Sequence, residues 1–358
     1  MTPALQVFAG PRALAQLRQQ GLRPADVRVI PAAAGGPKGL ALVPLDRFIF
    51  GQWLGGSEQT VHLLGASIGA WRMACACLPD ADAALATLAE DYITQRYDSA
   101  PGKPPTASHV SEVFGRKLEE RLGRRAAEVL SHPRYRLHVF TSRGRHLLNR
   151  QGRWRTPLGY AGAFVANAAG RRALGAWLER VVFSDPRDAL PLPTSDYRTQ
   201  SVALTTANLA PAVLASCSIP FWLDAVHDIP GGPRGAYWDG GITDYHLHLN
   251  YAAMTHGLVL YPHFQSRVVP GWLDKAFKGR HRASPALANL VLLSPHPDWV
   301  RSLPGGKLPD RSDFKAFGDD VAGRMRAWRA ALAESQRLAD EFAALVGSGR
   351  GFEALPLP

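Results

Sequence analysis

The chain has 358 residues, of which 46% are hydrophobic and 20% charged. That balance excludes global disorder and allows one or two domains around a sizeable core. Its 41 Lys and Arg against 30 Asp and Glu leave a formal net charge of +11, which favours anionic partners such as phospholipid surfaces, nucleic acid or acyl carriers.

Residues 27–30 are short and β-branched, like a strand. A run of small residues follows at 32–39. Residues 40–54 then carry Leu42, Leu45, Ile49 and Trp53 at helical spacing. The pattern repeats at once: a buried strand at 61–64, a turn at 65–69 and a helix at 70–77. Two strand–turn–helix units in succession predict parallel strands joined by crossover helices. Helices are expected at 82–97 and 108–130, with a proline-rich loop at 99–105 between them. A strand is expected at 136–141, mostly helix at 161–182, a strand at 200–206 and a short helix at 210–217. Residues 236–241 end a strand in a tight turn, and 258–260 and 290–293 read as further strands. Asp313 is placed to cap one long helix over 314–346. No internal repeat or low-complexity linker divides the chain. The expectation is one α/β domain over 1–358 with helical insertions, its chemistry-bearing motifs within 27–241.

Cys75, Cys77 and Cys217 do not make a disulfide framework, and an odd count fits a reducing, cytoplasmic setting. Cys75 and Cys77 stand too close in an apolar run for zinc ligands and read as core. The first 20 residues lack a signal-peptide pattern, and no apolar run reaches the roughly 18–20 residues that span a bilayer.

Three segments carry chemistry. Gly65, Ser67 and Gly69 form a G-x-S-x-G turn between a strand and a helix. Its glycines let strand and helix approach without Cβ clashes, and the helix N-terminus turns its free N–H groups towards developing negative charge. Gly35, Gly36, Lys38 and Gly39 lie in a glycine-rich loop able to expose backbone N–H donors to an oxyanion. The phosphate-loop pattern G-x-x-x-x-G-K-[ST] is absent. Asp239, with Gly240 and Gly241 after it, projects from a strand end.

In that order, the three segments resemble the patatin-like phospholipases. Residues 215–220, Ala-Ser-Cys-Ser-Ile-Pro, are similar to the family's segment before its D-G-G motif. The resemblance implies a three-layer α/β/α sandwich around a mainly parallel sheet. It also implies a lipid acyl hydrolase of phospholipase A or lysophospholipase type, using a Ser–Asp dyad and an acyl-enzyme. Ser67 is then the nucleophile and Asp239 the base, with backbone N–H groups of Gly35, Gly36 and Ile68 as the oxyanion hole. No metal or other cofactor is expected. Ala34 stands where the family loop has its first glycine, and Lys38 where it has arginine. Residues 242–248 replace the Asn-Pro that often follows D-G-G.

The rival catalytic arrangement is a Ser–His–Asp triad, for which His246 and His248 are the best placed bases; His62 reads as packed within its strand. Residues 267–282, with five Lys or Arg and one Asp among bulky apolar groups, are the candidate for contact with an anionic membrane. Rival functions are a soluble esterase, thioesterase or acyltransferase with the same dyad, and a non-catalytic basic membrane-binding protein. No nucleic-acid motif is found. Headgroup, positional preference, acyl length and oligomeric state are not legible.

Overall fold

The computed structural model describes residues 2–97 and 105–358. Its strands are β1 (Leu5–Ala9), β2 (Val27–Ala32), β3 (Val61–Ala66), β4 (Tyr135–Gly144), β5 (Leu178–Ser184), β6 (Thr199–Ala203), β7 (Val226–His227), β8 (Ala236–Trp238), β9 (Leu258–Pro262), β10 (Leu290–Pro295) and β11 (Leu355–Pro356). They form one sheet in the order β11-β1-β10-β9-β2-β3-β4-β5-β6, with β8 paired to β4 and β7 to β8. The central run β10-β9-β2-β3-β4 is parallel. β5 and β8 run antiparallel to β4, and β1 antiparallel to β10.

Helices cover both faces, so the parallel strands read as continuous apolar runs. Every residue of β3, β9 and β10 is buried. The mainly parallel α/β/α sandwich expected from the sequence is the fold observed. The crossover from β2 to β3 runs through the helix Val43–Gly51, where Pro44 occupies the first turn and lacks only an N–H that would have no helical partner there. The helix Ile68–Ala76 leaves β3 and packs beside it. Arg72 on this helix makes a bidentate pair with Asp46 of Val43–Gly51, at 2.6 and 2.8 Å, with both side chains buried. This pair fixes the helix that carries the G-x-S-x-G turn against its neighbour.

Three expectations need correction. Residues 314–346 are not one helix but Ser312–Phe317, Val321–Glu334 and Gln336–Gly347. Gly318 takes φ +51°, which ends the first. Asp320, not Asp313, caps the second, accepting from the Gly323 N–H at 2.7 Å. Asp313 instead accepts from Trp328 Nε1 at 2.8 Å and pairs with Lys307. Second, helix fills only the first part of 161–182: it ends at Ala169, one turn follows at Arg171–Leu174, and Leu178 starts β5. Gly170 and Gly175 interrupt the helical run, and Val181, Val182 and Phe183 pair with β4. Third, the helical run expected at 108–130 ends at Arg121 and resumes as Ala126–Ser131; β1 and β11 add strands at the sheet edge in segments for which the sequence predicted no element. The loop expected at 99–105 lies, except for Pro105, outside the described residues.

The cysteines are buried and unpaired, as expected of core positions. His62 is packed as expected, its Nδ1 3.0 Å from Nε2 of His138. Burial pushes the two imidazoles down to about 4 and about 3, so both stay neutral.

Asp46→Ala leaves the buried Arg72 charge unpaired. Its urea unfolding free energy is expected to fall by about 3–5 kcal/mol.

Candidate active site

Ser67 sits in the turn between β3 and the helix Ile68–Ala76 at φ +57°, ψ −131°, a left-handed conformation that costs a non-glycine residue strain. The flanking glycines are sterically required. A Cβ on Gly65 would lie 2.3 Å from Ala70 Cα, and one on Gly69 would lie 2.0 Å from the Ala32 carbonyl oxygen. The turn holds Ser67 Oγ so that it donates to Asp239 Oδ2 at 2.7 Å. Asp239 follows β8, and its Oδ1 accepts from the Gly241 N–H at 2.7 Å. The two residues are 3% and 6% exposed. Burial lifts the Asp239 carboxyl to about 6, against the opposing pull of the Ser67 hydroxyl, Arg311, the Gly241 N–H and Lys275.

Register brings these residues together. Ala66 pairs with Phe140 of β4, and Trp238 pairs with Ser142 of the same strand. One residue further on, both chains converge on Ser216, near the end of the helix Leu209–Cys217. Ser216 Oγ donates to the Phe140 carbonyl at 2.7 Å and accepts from the Ser67 N–H at 2.8 Å. The Ser216 carbonyl accepts from the Gly240 N–H at 3.1 Å, and the Ser218 carbonyl from the Asp239 N–H at 2.9 Å. Gly240 has no room for a side chain: a Cβ there would lie 2.0 Å from the Phe140 oxygen.

Of the residues that stand in place of Asn-Pro, 242–244 continue from Gly241 as a short helix, Gly241–Asp244. It is anchored from below. Asp244 accepts from Arg180 Nε at 2.8 Å and Nη2 at 2.6 Å, both side chains fully buried, and pairs with Arg171 at 3.3 Å. Ser142 Oγ donates to the Asp239 carbonyl at 2.9 Å and lies 3.0 Å from Thr243 Oγ1.

The glycine loop lies across the site. The Ala34 N–H donates to the Tyr245 carbonyl at 2.9 Å, which ties the loop to the segment after Asp239. Gly36 has φ +57°, and a Cβ on Gly35 would strike the Phe264 ring at 2.4 Å. The N–H groups of Gly35, Gly36 and Ile68 have no protein acceptor among the described residues.

Ser67 and Asp239 open into a cavity of about 230 Å³, whose walls include Gly35, Lys38, Ile219, Pro220, Tyr245, Trp272, Lys275 and Arg311. Three cations and two carboxylates, Asp239 and Asp310, therefore line one small space; Asp310 pairs with Lys307 at 2.8 Å, and none of the three cations makes an ion pair among the described residues. Lys275 is exposed as a residue, yet its ammonium lies 4.0 Å from the Tyr245 ring centroid. Burial of that ammonium, with Lys38 and Arg311 beside it, lowers it to about 8. Lys38 lies 5.5 Å from the Phe264 ring centroid. Arg311 passes over Gly36, its Nε 3.2 Å from where a Cβ would stand. Sequence reasoning missed Lys275, Arg311 and the bridging role of Ser216. Ser216 lay inside the segment before D-G-G and Lys275 inside 267–282, read there as a membrane contact and not as part of the site, whereas nothing local marks Arg311.

The histidines stand apart from the Ser67 hydroxyl. His246 is buried, its Nδ1 accepting from the Val269 N–H at 2.9 Å, and burial holds it well below the usual imidazole range. His248 Nε2 lies 3.1 Å from Ser284 Oγ. No group of three His, Cys, Asp or Glu suited to a metal occurs among the described residues. In the segment 267–282, Val268, Val269 and Leu273 are buried, and Arg280 pairs with the buried Asp274 at 2.7 Å.

The crystal structure of VipD from Legionella pneumophila aligns with 95% of this chain and 70% of its own, at 12% identity and a TM-score of 0.33. No curated protein sequence matches the chain. No helix among the described residues is long and apolar enough to cross a membrane. The family model for patatin-like phospholipase matches residues 38–246, more than half of the chain and the stretch that holds Ser67, Ser216 and Asp239. The chain belongs to the patatin-like phospholipase family, a family of lipid acyl hydrolases.

Proposed function

We propose that the chain hydrolyses lipid acyl esters with Ser67 as nucleophile and Asp239 as general base. The observation that carries this reading is the 2.7 Å Ser67–Asp239 hydrogen bond, made by a serine on a strained turn to a buried carboxylate. Ser67 Oγ attacks the ester carbonyl as its proton passes to Asp239. The carbonyl oxygen becomes an oxyanion beside the free N–H groups of Gly35, Gly36 and Ile68, at the N-terminus of the Ile68–Ala76 helix. Asp239 then gives the proton to the departing alcohol, leaving an acyl-serine. Water, deprotonated by Asp239, releases the fatty acid. A carboxyl near 6 suits both halves of this cycle, because it accepts a proton at neutral pH and returns it readily.

Lys38, Lys275 and Arg311 support a substrate that bears a negative charge close to the scissile ester, as a glycerophospholipid or lysophospholipid does. The three cations of the cavity outnumber its two carboxylates, Asp239 and Asp310, and the surplus is offset by an anion and not by a neutral acyl ester. We also read residues 1–358 as one working unit, since β9 and β10 lie inside the sheet and the following segments supply two of the three cations.

Fluorophosphonate treatment followed by mass spectrometry is expected to give one adduct on Ser67 and none in Ser67→Ala. Asp239→Asn is expected to slow both labelling and turnover roughly 10²–10⁴-fold. An adduct that persists in Ser67→Ala, or full turnover in either variant, rules the dyad out.

The pH profile follows from the two shifted groups. The working base is the ionised carboxylate, so kcat/KM falls about tenfold per unit as pH drops below about 6. Above about 8 Lys275 loses its proton, and KM for an anionic ester rises while that for a neutral ester does not.

Ser216→Ala strands the Ser67 N–H and unties the turn from β4. Displacement of the nucleophile by a fraction of an ångström is expected to lower kcat roughly a hundredfold with little change in KM, measured on protein whose circular dichroism matches wild type.

A further inference from the structure

The helix Arg155–Ala169 is apolar on both sides. Its inner side, with Thr156, Gly159, Tyr160, Ala163 and Asn167, is buried against the fold. Its outer side meets solvent through Trp154, Leu158, Ala161, Val165 and Ala168, spaced three or four residues apart along one stripe. Trp154 is 70% exposed, Leu158 60% and Val165 69%. An outer helix face this apolar suits a protein core or lipid, and no protein covers it among the described residues.

The stripe does not stand alone. Tyr160, on the inner side, packs on Phe221 with ring centroids 5.9 Å apart, and Phe164 stacks on Phe277 at 5.8 Å. Phe221 and its neighbour Trp222 are exposed, as is Trp272. Ile219 and Pro220, just before Phe221, line the cavity that holds Ser67, and so does Trp272. The apolar surface therefore runs from the helix to the mouth of the site.

Charge identifies what covers it. Residues 143–178 contain seven arginines and no Asp or Glu. Of these, Arg150, Arg153 and Arg155 at one end of the helix and Arg172 at the other are exposed and have no carboxylate partner among the described residues. A second copy docked through the same patch would set these arginines against each other. An anionic bilayer offers what the surface lacks: hydrocarbon for the stripe and phosphate for its cationic rim. The exposed tryptophans suit the headgroup level.

We propose that the outer face of Arg155–Ala169, with Phe221, Trp222 and Trp272, docks on an anionic phospholipid bilayer and sets the cavity mouth against it. The segment 267–282 takes part only through its exposed Trp272, Lys278 and Arg282, because its other bulky apolar residues are largely folded inward. Docking needs no turnover, so the inference stands or falls apart from the dyad.

Flotation with vesicles of phosphatidylcholine alone, and of phosphatidylcholine with phosphatidylglycerol, tests it at low and high salt. Wild type is expected to float with the mixed vesicles only, and less so as salt rises. The pair Trp154→Ser and Leu158→Ser is expected to bind at least about tenfold more weakly, and the pair Arg153→Glu and Arg155→Glu to lose the preference for phosphatidylglycerol. Val165→Ser repeats the first arm should that pair fail to fold. Hydrolysis of a water-soluble short-chain ester is expected to be unchanged in all of these variants. Equal binding by wild type and the serine variants overturns the proposal, as does failure of wild type to bind either vesicle. A wild-type dimer that the serine substitutions dissociate would show a second copy on this face and overturn it as well.

Discussion

The Ser216 hydroxyl stands between the two halves of the site. It donates to the Phe140 carbonyl of β4 and accepts from the Ser67 N–H, while the Ser216 carbonyl receives the Gly240 N–H next to Asp239. One side chain and its own backbone thus tie three segments that are far apart in sequence to the same point on the sheet. This bridge sets Ser67 and Asp239 against the same strand, together with the Ser218 carbonyl and the Ser142 hydroxyl that hold the Asp239 backbone. Buried donors and acceptors need partners, so the arrangement is self-reinforcing: to shift one chain is to strand a polar group on another.

Burial does the electrical work. Asp239 is lifted towards neutrality by the loss of water, and the Ser67 hydroxyl, the Gly241 N–H and the nearby cations hold it short of full protonation at neutral pH. The same desolvation weakens Lys275, which shares the cavity with Lys38 and Arg311. Loss of water is the leading cause for both groups, and repulsion by Lys38 and Arg311 adds to it at Lys275.

The last third of the chain is not an appendage to this centre. β9 and β10 lie between β2 and β1 in the sheet, and the segments that follow them bring Lys275 and Arg311 over the cavity. Just after D-G-G, the pairing of Asp244 with Arg180 and Arg171 holds the short helix beneath Asp239. On the outside, the arginine-rimmed helix Arg155–Ala169 gives the basic composition of the chain a definite place.

What could be read without coordinates was whatever local sterics and periodicity dictate. Strands β2 and β3, the helices after them and the glycines about Ser67 follow from small residues that must turn between a buried strand and a buried helix. Asp239 stood out because a strand ended there before two glycines, and the family resemblance then linked it to Ser67. Long-range packing decided the rest. Gly318, at φ +51°, and Ser335 divide a helical pattern that reads as continuous along the chain into three helices. Residues 178–182 became strand because β4 offered hydrogen-bond partners that helix spacing does not reveal. The role of Ser216, the cations Lys275 and Arg311, and the bare apolar side of Arg155–Ala169 depend on what each residue meets across the fold, and no pattern of neighbours along the chain contains that.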